Sequence, residues 1–158
     1  MFLALRRDRN VLPNALLKLS CAASADILAR MTSIQKFLAA PSFAVVGASA
    51  DPEKYGHMCY ACLLRHGRTA YPVNPRAKTI LGNPAYASLA ALPEKVESVS
   101  IITPPEITEK VVDEAIAAGV KNVWMQPGAE SELAVSKAEK AGLNVISGGP
   151  CLLVVLGR

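Results

Sequence analysis

Aromatic side chains are scarce, at 5% of the chain with a single Trp. A channel for single-stranded nucleic acid stacks successive bases on such rings, so that class has little to work with. No run of about 18 apolar residues occurs, which excludes a membrane-spanning helix. Only two histidines are present, His57 and His66, and neither lies in a motif that would build a Ser/His/Asp arrangement. A secretory signal is missing as well: residues 1–5 are too short for its apolar core, and Arg6 and Arg7 follow directly. The four cysteines, Cys21, Cys59, Cys62 and Cys151, are therefore expected as free thiols in a reducing compartment. Repeats and low-complexity tracts are absent.

An excess of one charge is also missing from most of the chain. The formal net charge is +4, but residues 1–30 carry five basic groups against two acidic ones. Residues 31–158 hold twelve basic and eleven acidic groups. The basic balance belongs mainly to the leader, so it argues poorly for nucleic-acid binding. Residues 1–30 read as a basic N-terminal extension, or as a mitochondrial targeting segment because leucines stand beside arginines there, although Asp8 speaks against it. The expected location is cytoplasmic, with the mitochondrial matrix as the alternative if that segment targets. Residues 31–158 are expected to form one domain.

What is plentiful is apolar sequence, at 51%, enough for one packed core. Five short apolar runs read as strands: residues 43–47, 69–73, 98–102, 120–125 and 143–146. Residues 58–66, 107–118 and 130–141 have helical spacing, the first of these helices opening near Tyr55-Gly56, and Gly119 and Gly142 fit helix ends. A turn of helix is expected near residues 88–91. Alternating strands and helices predict an α/β fold: a single Rossmann-like, three-layer domain, with a parallel sheet of about five strands and helices on both faces.

In such a sheet the ligand sits beyond the carboxyl ends of the strands. Polar, Gly and Pro residues gather at four of those ends. The first loop, Gly47-Ala48-Ser49 followed by Lys54 and Gly56, suits a pyrophosphate: a sharp turn, small side chains, and a helix whose positive end faces the anion. It departs from the dinucleotide fingerprint, because Ser49 and Pro52 stand where the second and third glycines belong. The second strand end lacks the acid that would accept from ribose hydroxyls and has Asn74, Arg76 and Lys78 instead. Basic groups there favour a phosphorylated ribose, found in both coenzyme A and NADP. The other two loops are Thr103-Pro104-Pro105 and Gln126-Pro127-Gly128.

Taken together, residues 45–49 with Lys54 and Gly56, then residues 71–75, 80–82, 102–105 and 123–128, resemble the small stand-alone CoA-binding proteins. These are similar to the CoA-binding domain of the succinyl-CoA synthetase α subunit. The resemblance spans about residues 41–151. It implies a small-molecule nucleotide cofactor, coenzyme A. Gly47, Ala48, Ser49 and Lys54 would hold the pyrophosphate, and Val73, Asn74 and Arg76 would meet the adenosine end. Thr103, Pro104 and Pro105 would line the adenine side, and Gln126, Pro127 and Gly128 would lie near the pantetheine path. The synthetase also has a domain carrying a phosphorylated histidine, for which this sequence leaves no room. Ligase activity is therefore not expected to carry over.

The expected function is a CoA or acyl-CoA binding protein with no catalytic residue and no metal assigned. The alternatives are an NADP-binding reductase or ligase-associated subunit, and a redox or metal module on Cys59-Tyr-Ala-Cys62. The CxxC pair falls inside a helix with Cys59, Cys62 and His66 on one face, which suits core packing better than a low-pKa thiol. No second ligand pair is spaced for tetrahedral zinc. Cys151 is expected as a small buried hydrophobe, with a mixed disulfide to a thiol cofactor as the alternative. No nucleic-acid partner is expected. Homodimerisation and a protein partner stay open.

Overall fold

The computed structural model describes residues 32–157. The reading of residues 1–30, and Cys21 with it, lies outside them. Five parallel strands form the main sheet: β1 (Ser42–Val46), β2 (Thr69–Val73), β5 (Ser98–Ile101), β6 (Asn122–Met125) and β7 (Asn144–Ile146). Their order is β2-β1-β5-β6-β7. The chain steps outward from β1 to β2, then returns to the other side of β1 to lay down β5. The order therefore reverses between β1 and β5, and a crevice opens at their carboxyl ends.

Alternation along β1 sorts the interior into two cores. Phe43 and Val45 face one, Ala44 and Val46 the other. On the first face lie α1 (Ser33–Leu38), α2 (Tyr55–Arg65) and α5 (Leu152–Leu156), contributing Phe37, Tyr60, Leu63 and Leu152. On the second lie α3 (Pro105–Ala117) and α4 (Glu132–Lys140), contributing Val111, Val112, Ala115, Ala134 and Ala138. Each longer helix buries one stripe, and the three inner strands β1, β5 and β6 are buried on both faces. Trp124 is fully buried against Phe37, with ring centroids 5.2 Å apart in an edge-to-face arrangement.

Three elements go beyond the sequence expectation. α1 opens on a capping box in which Thr32 and Gln35 each accept from the other's amide. It braces the amino ends of the sheet, where Ser98 Oγ donates to the Phe37 carbonyl at 2.9 Å. A two-stranded antiparallel hairpin, β3 (Thr79–Ile80) with β4 (Asn83–Pro84), occupies the long connection after β2. Its turn places Leu81 at φ 50° beside Gly82. α5 is the third. The turn of helix expected near residues 88–91 is a 3-10 turn at Leu89–Ala91.

Candidate functional site

The first loop leaves β1 at Gly47, whose φ of 90° admits no ordinary side chain. A Cβ there would also collide with the Ile102 carbonyl. Gly47 N–H donates to the Val73 carbonyl at 3.0 Å, and Ile102 N–H to the Val46 carbonyl at 2.8 Å. The three strand ends are thereby drawn to one point. Beyond it, the amides of Ala48, Ser49 and Ala50 have no acceptor among the described residues. Ser49 Oγ accepts from Asp51 N–H at 3.1 Å, which leaves its own proton to donate. Asp51 Oδ1 is turned back onto Glu53 N–H at 3.0 Å.

α2 then begins with Lys54 at its N-cap, and no side chain covers its first amides. Gly56 in the first turn is buried so closely against the loop that a Cβ would run into the Gly47 carbonyl. This is the close helix-to-strand contact that the third fingerprint glycine usually provides. The missing glycine is thus displaced along a longer loop, and its packing function is present. His57 Nδ1 lies 2.9 Å from the Ser49 carbonyl; donation from that nitrogen braces the loop from inside the helix. His57 lies in no sequence motif. Its only signal was its place one residue after Gly56.

The second loop is tied to the first. Asn74 Nδ2 donates to the Ala48 carbonyl at 2.7 Å, and Asn74 Oδ1 accepts from Arg76 N–H at 2.8 Å. An acid at this position could not donate to Ala48. Arg76 and Lys78 are exposed on the same loop and form no salt bridge among the described residues. Lys54, also exposed, has none either.

The third and fourth loops enclose a groove of about 350 Å³ lined by residues 102–105 and 127–129. Thr108, fully buried in α3, holds Thr103 through a 2.9 Å hydroxyl contact. Pro127 and Gly128 are exposed at the rim.

Several implied contacts land elsewhere. The Val73 side chain is in the core, and only its carbonyl serves the loop. Ala48 is fully buried, backbone included, so it shapes the loop and the accessible amides are those of Ser49 and Ala50. Gln126, implied along the pantetheine path, is fully buried and committed: Nε2 donates to Ser100 Oγ at 3.1 Å. Its Oε1 accepts from Leu152 N–H at 2.9 Å and from the Tyr55 hydroxyl at 3.3 Å. It is a brace joining β5, β6, α2 and α5, and it acts on the crevice only through Tyr55.

The cysteines divide. Cys59 and Cys62 are fully buried in the first core, and burial pushes the Cys59 thiol up to about 12. Cys151 departs from its expected role, because the turn of residues 148–150 leaves it half-buried at the start of α5. Burial alone would raise its thiol. The Tyr55 hydroxyl and the amides of Val154 and Leu153 outweigh that, and lower it below the ordinary value. Tyr55 itself is pushed well up, first by burial and then by Cys151. No helix among the described residues is long and apolar enough to cross a membrane.

Known proteins resemble this chain. The CoA-binding domain family model matches residues 41–157. An ADP-forming acetate–CoA ligase I of Archaeoglobus fulgidus is 32% identical over 119 residues, which cover 69% of this chain and 17% of the ligase. A protein of Pyrococcus horikoshii superposes with a TM-score of 0.74 at 33% identity, covering 79% of this chain and 89% of that one. A dinucleotide-forming acetyl-CoA synthetase 1 of Ca. Korarchaeum cryptofilum superposes with a TM-score of 0.60 at 34% identity, covering 70% of this chain and 26% of the synthetase. The chain spans 17% of the length of the first ligase and 30% of a related ligase subunit of Pyrococcus furiosus.

Proposed function

The chain belongs to the CoA-binding domain family, and from that premise we propose that it binds coenzyme A, or an acyl form of it, in the crevice above β1 and β5. The observation that carries the reading is the gathering of three things at one point. These are the open amides of Ser49 and Ala50, the uncapped start of α2, and the cations Lys54, Arg76 and Lys78, which form no salt bridge among the described residues. The amides and the helix start offer donors and positive potential to a pyrophosphate. Asp51 and Glu53 oppose an anion there, so backbone donors, not net charge, dominate at that position. Lys54 adds a flexible counter-charge, and Ser49 Oγ adds a donor.

Arg76 and Lys78 suit the extra phosphate on the ribose, with Asn74 holding their loop against the first. Pro127 and Gly128 border the route toward the thiol end. No reaction is assigned to the site. The relationship to ligases concerns the part of them that this chain matches.

Titration calorimetry tests this reading. CoA should bind about three- to tenfold more tightly than dephospho-CoA, a modest factor because both cations are exposed to solvent. Arg76→Ala with Lys78→Ala should abolish that difference while leaving dephospho-CoA binding unchanged. Equal affinity of the native protein for the two ligands would remove the role given to these cations.

A further inference from the structure

β7 is parallel to the other strands of the main sheet, so its carboxyl end lies on the crevice side. The exposed turn of residues 147–150 leaves that end and delivers Cys151, half-buried, against the start of α2. There the Tyr55 hydroxyl meets its thiol. Tyr55 directly follows Lys54, the N-cap of α2. One tyrosine side chain therefore spans the interval between the start of α2, where the pyrophosphate is placed, and the Cys151 sulfur. A pantetheine arm is longer than a tyrosine side chain. A coenzyme anchored by its phosphates thus has the reach to bring its terminal sulfur to Cys151.

The groups around Cys151 suit a sulfur that ionises. Burial first, and then Cys151, push Tyr55 well up, so it keeps its proton and serves as a donor. That proton goes to Gln126 Oε1 at 3.3 Å while Cys151 is a thiol. Once Cys151 ionises, the proton turns to the sulfur. Gln126 Oε1 is not left empty, because Leu152 N–H still donates to it at 2.9 Å. Against the opposing effect of burial, the hydroxyl lowers the Cys151 thiol. Cys59 meets the same hydroxyl from inside the core. It is fully buried, burial pushes its thiol up to about 12, and it stays protonated at neutral pH.

We propose that Cys151 is a thiol–disulfide exchange site for the disulfide of the coenzyme itself, with Tyr55 as the positioning residue that turns its proton to the attacking sulfur. The proposal rests on the CoA-binding reading and adds a covalent, redox-dependent form of binding to it. The Cys151 thiolate attacks one sulfur of the symmetric disulfide of CoA. A bond forms between Cys151 Sγ and that sulfur as the coenzyme's own S–S bond breaks. The second CoA leaves as a thiolate and takes a proton from water. One disulfide is consumed and one is formed, so no further oxidant enters. Cys59, held as a thiol, does not displace the bound coenzyme, and an external thiol reverses the adduct.

The test incubates the reduced native protein with CoA disulfide and follows the intact mass and the labelled peptides. One CoA should add, on Cys151, and dithiothreitol should remove it. Glutathione disulfide at the same concentration, which lacks the phosphate anchor, should react at least about tenfold more slowly. Cys151→Ser should form no adduct, and its binding of reduced CoA in calorimetry shows that it is folded. Tyr55→Phe should move the pH profile of the adduct rate to higher pH, a change that a purely structural role would not produce. An adduct on Cys59 or Cys62, or equal rates with the two disulfides, overturns the exchange site. A Cys59–Cys151 disulfide in place of the adduct overturns the role given to Cys59, and an unmoved pH profile overturns that of Tyr55. No adduct on a native protein that binds reduced CoA overturns the proposal and leaves the CoA reading intact. If reduced CoA does not bind, that reading fails and the proposal with it.

Discussion

Two thiols near one hydroxyl illustrate how neighbours set chemistry at the scale of a residue. Cys59 and Cys151 both face Tyr55, yet burial raises the first to about 12 while hydrogen bonding lowers the second. Native protein at neutral pH should therefore be alkylated at Cys151 well before Cys59 or Cys62, read by mass spectrometry of the labelled peptides. Faster labelling of Cys59 would contradict the assignment. The signs differ for stability too. Folding favours the protonated form of Cys59, so its contribution is complete below the ordinary value of 9.0 and disappears as pH rises toward about 12. Folding favours the thiolate of Cys151, so its contribution is present above the ordinary value and lost as pH falls through the lowered one. Melting temperature followed from pH 8 upward should fall more steeply in the native protein than in Cys59→Ala. The CxxC spacing was visible in the sequence, but which thiol is reactive depends on Tyr55 and the start of α5. Tyr55 is far from Cys151 along the chain, and α5 is too short to be read from the sequence.

At the scale of an element, α2 decides the site. Its start is set by the first loop, and its depth by Gly56. Gly56→Ala would push a methyl group into the Gly47 carbonyl, with backbone on both sides and no flexible side chain to yield. The expected cost is about 1–3 kcal/mol, with a displaced helix start and weaker CoA binding. Thermal unfolding and calorimetry check both, and unchanged values would show that the contact is loose. The five strands and the three longer helices were readable because each carries a complete period of apolar residues. α1 and α5 were not: at six and five residues they are too short to show one. The β3–β4 hairpin was hidden for a similar reason, since two-residue strands have no alternation to read.

For the whole molecule, the sheet separates two cores, and α1 closes the end opposite the crevice. Phe37 touches Phe43 and Trp124, so α1 is part of the first core and not an appendage. A chain truncated to Thr32–Arg158 is expected to keep its melting temperature and CoA affinity. A further truncation past Phe37 should lose about 3–5 kcal/mol of stability, the usual cost of deleting a large buried aromatic side chain. Circular dichroism melts of the two truncations distinguish these outcomes. A substantial loss in the first would mean that the boundary at residue 31 is misplaced.

The sequence by itself determined the fold class, the strand ends that carry the loops, and the departure from a dinucleotide fingerprint. All three depend on local composition: apolar period, turn residues, and the identity of single side chains. Tertiary structure alone decided what those loop residues do. It turned Gln126 and Val73 inward, used Asn74 to join two loops, and gave Gly56 the close packing that the fingerprint lacked. These outcomes come from contacts between strand ends far apart in sequence, and a buried polar group takes whichever partner the fold brings within reach.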